Sequence, residues 1–195
     1  MHGLVNCAIQ GFAKDTYGDG VWLDVVRIAD LDFVEFETMW MYDDAITPRV
    51  LDALSQVLDR PRPDVMEDIG TYLVSHRTTE PLRRLLRFGG VDFVDFLQSL
   101  DDLTDRARMA VPDLILPKME LGEHGPGEFS LECHASIAGF GRVMMGVLRS
   151  MADDYGVLAV LDHNTAAPMK EIVSIHVVEA EFAEGRTFDL GVKTA

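Results

Sequence analysis

Basic side chains are scarce in this sequence: 17 lysines and arginines stand against 33 aspartates and glutamates in 195 residues, a formal net charge of −16. A polyanion of this kind repels nucleic-acid backbones and anionic headgroups, which argues against nucleic acid or a membrane surface as a partner. Cysteine is nearly missing too. Cys7 and Cys133 lie far apart and match neither CxxC nor zinc-finger spacing, the pattern of a reduced, cytoplasmic protein. No apolar run approaches the roughly 20 residues of a membrane span. The start, MHGLVNCAIQGFAKD, lacks the basic n-region of a secretion signal. Phosphate-binding loops, nucleophile elbows and dinucleotide fingerprints are also missing, so no residue pattern points to an enzyme.

What is present is enough apolar residue, 48% of the chain, to bury a real core. The first half has helical periodicity: Leu4, Val5, Ala8, Ile9 and Phe12 before YGDG, then Trp22, Val25, Val26 and Ala29. PRVLDALSQVLD predicts a third helix with Thr47 as N-cap and Pro48 at its first position. VMEDIGTYLVSH and TEPLRRLLRFGG follow. Phe93, Leu97, Leu100, Thr104, Ala107 and Val111 form one stripe at helical spacing, predicting a continuous helix that Pro112 ends.

From Leu114 the pattern changes to alternation. KMELGE and EFSLECHASI flank HGPG as a hairpin, AGFGRVMMGVLRSMADDYG is a helix, and VLAVLDH with EIVSIHVVEAEF forms a second strand pair. The expected fold is α+β: a helical N-terminal half on a C-terminal half with a four-stranded antiparallel sheet, in the order β-β-α-β-β. Residues 1–183 are expected as one domain, with a helical part to about residue 62, and 184–195 as a peripheral tail.

Few side chains suggest chemistry. Asp101, Asp102 and Asp105, and then Asp153 and Asp154, read as a solvated acidic face. Cys133 and His134 are neighbours on a strand and point to opposite faces, so one metal ion does not use both. Met144, Met145 and Met151 on the helix between the strands, with Met109 and Met119, read as core filler or as the lining of a cavity for a flat apolar ligand. Thr104, inward and small, is expected to bond the Leu100 carbonyl.

MHGLVNCAIQGF, Trp22, FLQSLDDLTDRARMAVPDL and LECHASIAGFGRVMMGVLRSMA together resemble the H-NOX family, the heme nitric oxide/oxygen binding domains related to the heme domain of soluble guanylate cyclase. The resemblance spans about residues 1–183. It implies a sensory domain that binds heme and biases a partner such as a histidine kinase or a cyclic-di-nucleotide enzyme. Its functional motifs depart from the family's. In the LDxLH pattern of the iron-ligating helix, Leu100 matches and Thr104 stands at the histidine position. The YxSxR propionate clamp is replaced by Cys133, Ala135 and Ile137, expected to share one strand face. The resemblance places Pro117 where the family's proline presses on the heme. It places Val5 and Leu73 in the distal lining, and Met144 beside the same pocket.

These substitutions imply a degenerate site, with heme absent or weakly held, and action through protein contacts or an apolar small molecule. One alternative is a working gas sensor with His134, His76 or His2 as substitute iron ligand. Another is a structural module whose pocket is filled by Met144, Met145 and their neighbours.

Overall fold

The computed structural model describes residues 1–167 and 169–187. Eight α-helices are described: α1 Gly3–Tyr17, α2 Asp19–Ile28, α3 Ile46–Leu58, α4 Arg62–Ser75, α5 Glu80–Arg87, α6 Phe93–Gln98, α7 Leu103–Ala110 and α8 Phe140–Tyr155. The strands are β1 Lys118–Gly125, β2 Glu128–His134, β3 Leu158–Ala167 and β4 Lys170–Glu179. They form one antiparallel sheet in the order β1-β2-β4-β3. The α+β class and the order β-β-α-β-β are those the sequence predicts. The part of the expected tail after residue 187 lies outside the described residues.

Alternation builds the sheet. Phe129, Leu131 and Cys133 of β2 and Val173 and Ile175 of β4 are buried, and the register pairs Phe129 with Ile175 and Leu131 with Val173. This apolar face joins Met144, Met145, Leu148 and Met151 of α8 and Phe93, Phe96, Leu97 and Leu100 in one core. A second core gathers Ile9, Phe12, Trp22, Val25, Leu51, Leu54, Val65 and Ile69.

The two cores meet where α4 crosses α8. Gly70 and Gly146 let the backbones touch: a Cβ on Gly146 would lie 2.0 Å from the Glu67 carbonyl oxygen, and one on Gly70 2.0 Å from that of Val143. Only residues without a Cβ allow helices to approach this closely. No helix among the described residues is long and apolar enough to cross a membrane.

Two local expectations fail. The stripe from Phe93 to Val111 is not one helix: α6 ends at Gln98, and residues 99–102 form a turn before α7. Leu100 N–H donates to Leu97 O and Leu103 N–H to Leu100 O, so the backbone tightens to three-residue turns. The Ser99 hydroxyl bonds Phe96 O and Asp101 accepts from Leu121 N–H, side-chain bonds that compete with a regular helix. Leu97 and Leu100 still point inward, which is why periodicity bridged the break. Nor does Thr47 cap α3. The helix begins at Ile46, and the buried Thr47 hydroxyl donates to Asn6 Oδ1 of α1 at 2.7 Å. Tertiary packing has taken the group that a local cap would use.

Candidate functional site

Leu100 at the α6–α7 turn, Cys133 at the end of β2 and Met144 on α8 are brought together in the sheet-side core, all buried. Thr104 stands at the edge of this cluster, half-buried on α7. Its hydroxyl donates to the carbonyl of Pro117 at 3.2 Å, not to Leu100. The bond links the helix to the segment entering β1, so Thr104 and Pro117 are direct partners.

The remaining positions scatter. Cys133, Ala135 and Ile137 do not continue along one strand face, because β2 stops at His134. Ala135 is buried and its N–H donates to Met169 O. The chain then turns through Gly139, at φ +93°, into α8. This turn carries Ile137 away to pack on the N-terminal core, where Leu73 of α4 also packs. Val5 is half-buried on α1. Three cavities are found elsewhere; the largest of them, about 770 Å³, lies along residues 87–99, and none of the three is lined by Thr104, Cys133 or Met144.

Beside Cys133 sits a charge that the sequence reading missed. Glu171 is the cross-strand partner of Cys133 in β4 and is buried. Its carboxylate accepts from Gly139 N–H at 2.5 Å and Gly141 N–H at 2.8 Å, at the N-terminus of α8, and it meets His163 Nε2 at 2.8 Å. Unpaired N–H groups at a helix start favour an anion, and here the chain provides its own. Burial first, and then the Glu171 charge, push the Cys133 thiol up to about 12, so it stays protonated at neutral pH. A signal was available: Glu171, Val173 and Ile175 share the inward phase of β4, which put a carboxylate on an apolar face.

The three histidines expected as substitute ligands, His134, His2 and His76, are engaged elsewhere. His134 is exposed on the face opposite Cys133, 3.6 Å from Glu132. With Glu120 and Glu132 it forms a metal-sized group, but Lys118 and Lys170 already pair with those carboxylates. His2 caps α1, accepting from Leu4 N–H. His76 stacks on Tyr72 and meets Thr78 Oγ1 at 2.8 Å.

Among the acidic residues, Asp102 and Asp105 are exposed as expected. Asp154 is not: it is 1% exposed and accepts from Arg83 Nε at 2.9 Å and Nη2 at 2.7 Å, tying α5 to the end of α8. Its place on the helical row Met144, Val147, Met151, Asp154 already pointed inward.

The haem-NO-binding family model matches residues 2–163. The chain belongs to the haem-NO-binding, or H-NOX, family. Soluble guanylate cyclase 89Da of Drosophila melanogaster is 24% identical over 155 residues, covering 80% of this chain and 23% of that protein. Soluble guanylate cyclase gcy-31 of Caenorhabditis elegans is 23% identical, covering 79% and 22%. The chain thus spans about a quarter of the length of these curated relatives.

Two solved structures share the fold. The Fe(II) unliganded H-NOX protein from K. algicida superposes with a TM-score of 0.81 at 15% identity, covering 94% of this chain and 100% of that one. The S. oneidensis H-NOX protein in its Fe(II)NO state gives 0.74 at 16% identity, covering 91% and 99%.

The residues that the resemblance sets at the heme positions of this H-NOX domain offer neither an imidazole nor a cation. Thr104, set by the resemblance at the iron-ligand position, has a neutral hydroxyl that donates to Pro117 O, and an imidazole is a far better iron ligand. Cys133, Ala135 and Ile137, set by the resemblance at the propionate clamp, offer a protonated thiol, a methyl and a branched alkyl group. The charge next to them, on Glu171, has the sign of a propionate.

Proposed function

We propose that this chain is an H-NOX-type regulatory domain with a degenerate heme site, one that does not hold heme in the manner of its family and acts through a partner protein. The observation that carries the reading is Glu171. A buried carboxylate already fills the α8 N-terminus, opposite the first clamp position, with two backbone N–H groups and His163 as partners. Two incoming propionates would meet like charge there, and the three clamp positions themselves supply no cation. An uncompensated buried charge of that kind costs several kcal/mol. The tethered Thr104 hydroxyl supports the same reading from the iron side.

The family resemblance supports a histidine kinase or a cyclic-di-nucleotide enzyme as the partner, and the relatives' names offer a guanylate cyclase.

The test is an absorption titration of the purified chain with hemin. The expected spectrum is that of free or loosely bound hemin, with no Soret band that saturates at one equivalent. A saturating one-to-one Soret band would overturn the reading. Its loss in His2→Ala, His76→Ala or His134→Ala would then identify a substitute ligand.

A further inference from the structure

Residues 32–45, between α2 and α3, form no helix or strand, yet the segment is held firmly. Gly3 N–H donates to Trp40 O at 2.8 Å and Tyr42 N–H to Met1 O at 2.9 Å. The Trp22 indole donates to Val34 O, Phe36 N–H to Gln10 Oε1, and the Tyr42 hydroxyl accepts from Glu37 N–H. Phe36 is buried, with Phe33 5.0 Å and Tyr42 4.9 Å from it between ring centres. A Cβ on Gly3 would lie 2.0 Å from Glu37 O, so the loop lies directly on α1.

This framework presents three consecutive apolar side chains to water: Met39 at 76%, Trp40 at 65% and Met41 at 55% exposure. A mobile loop exposing such residues would be unremarked. A pinned one has already lost its conformational entropy, which is the condition for an efficient docking surface. Tryptophan is the residue type most enriched among binding hot spots, and methionine adapts to varied apolar partners.

Charge says what covers it. Between Ile28 and Pro48 there are six acidic residues and no lysine or arginine. Glu37 and Asp43 flank the Met-Trp-Met knuckle and are exposed, as are Glu35, which also pairs with Lys14, and Asp44, which also pairs with the N-terminal ammonium. We propose that the Met39–Trp40–Met41 knuckle is a preformed docking surface for a basic amphipathic segment of a partner protein, its apolar face seated on Trp40 and its cations on the acidic rim. A second copy of this chain would bring another −16 and another acidic rim. An anionic membrane would be repelled by the same charges. The inference rests on the reading of the domain as one that acts through a partner, and names the chemistry of that partner.

The intact chain is titrated by calorimetry with an 18-residue amphipathic leucine–lysine helical peptide, and with its leucine–glutamate counterpart. The lysine peptide is expected to bind, the glutamate peptide not. Because Trp22 is fully buried, the accompanying blue shift of emission belongs to Trp40.

Trp40→Ala is expected to weaken binding ~30-fold, and Met39→Ser/Met41→Ser to weaken it in the same direction. Neutralising the rim with Glu35→Gln/Glu37→Gln/Asp43→Asn/Asp44→Asn should weaken it at least ~10-fold. Phe88→Ala, at an exposed apolar residue of another loop, should leave it unchanged. Failure of the lysine peptide to bind, or equal binding by wild type and Trp40→Ala, would overturn the proposal. So would a Trp40 blue shift with zwitterionic vesicles alone, or a dimer that Trp40→Ala dissolves. None of these outcomes bears on the hemin spectrum, so the two readings fail separately.

Discussion

Replacing Gly146 by alanine adds one methyl group at the crossing of α4 and α8. The new Cβ would lie 2.0 Å from Glu67 O, 2.7 Å from Thr71 N and 3.0 Å from Gly70 C. All three are backbone atoms, so no side chain can swing aside. Ordinary contact begins near 3.4 Å, and the helices must separate by about 1.4 Å or bend. Overpacking a rigid contact costs about 1–3 kcal/mol and occasionally more. Separation would also loosen the apolar contacts on both sides of the crossing.

Against this stands the helix propensity that alanine gains over glycine, about 1 kcal/mol. With three backbone atoms in the way and no side chain to yield, the overpacking cost lies at the upper end of its range, and the balance is a destabilisation of about 2 kcal/mol. At about 2–4 °C per kcal/mol for a domain of this size, Tm should fall by roughly 4–8 °C. Gly20→Ala is the control. Gly20 lies in α2 with nothing within 4 Å of its added Cβ, so the same exchange there should raise Tm by a degree or more. Differential scanning calorimetry of both variants gives the answer. If Gly146→Ala melted at or above the wild-type temperature, the close crossing could not be what joins the two cores.

Two further outcomes follow from buried or coupled charges. Asp154→Ala leaves the Arg83 guanidinium, itself buried, without the carboxylate that takes two of its N–H groups. Breaking a buried pair on one side costs about 3–5 kcal/mol; Glu80 still takes Arg83 Nη1, so the lower end of that range applies and chemical denaturation should show a lower midpoint. A midpoint within experimental error of wild type would refute the pairing.

Asp15 accepts from the Tyr72 hydroxyl at 2.7 Å and from Thr78, and these hydrogen bonds hold its carboxyl below the usual range despite partial burial. Its contribution is therefore present above the unfolded-state carboxyl value and is lost as pH falls through the lower folded value. Tyr72 is shifted the other way, upward, by burial first and by bonding to Asp15, although its bond to Thr78 opposes the shift. Its contribution is present below the ordinary tyrosine value and is lost as pH rises through the higher folded one. Asp15→Ala should flatten the acid limb of a stability–pH curve measured by denaturant melts. An unchanged acid limb would remove Asp15 from its cause.

Much of this protein was legible in the chain. Alternation in KMELGE, EFSLECH and EIVSIHVVE defined a half-buried sheet, because side chains on a strand alternate whatever the neighbouring strand is. Helical periodicity located α1, α2, α4 and α8 for the same kind of reason. The resemblance carried by FLQSLDDLTDRAR and LECHASIAG picked out Thr104 and Cys133 as candidate site residues, since motif spacing survives when the residues change. Even the two missed charges were in phase with buried rows: Glu171 with Val173 and Ile175, Asp154 with Met151.

Tertiary structure decided what those residues do. Periodicity cannot tell a continuous helix from two helices joined by a tight turn, because Leu97 and Leu100 point inward in both. Only the fold brings the Thr104 hydroxyl to Pro117 O, thirteen residues on. Only the β2–β4 register puts Glu171 across from Cys133, and only the Gly139 turn brings the α8 N-terminus to that carboxylate. Local sequence sets which face a side chain takes. Which group meets it there depends on residues distant along the chain, and beside Cys133 that group is a carboxylate.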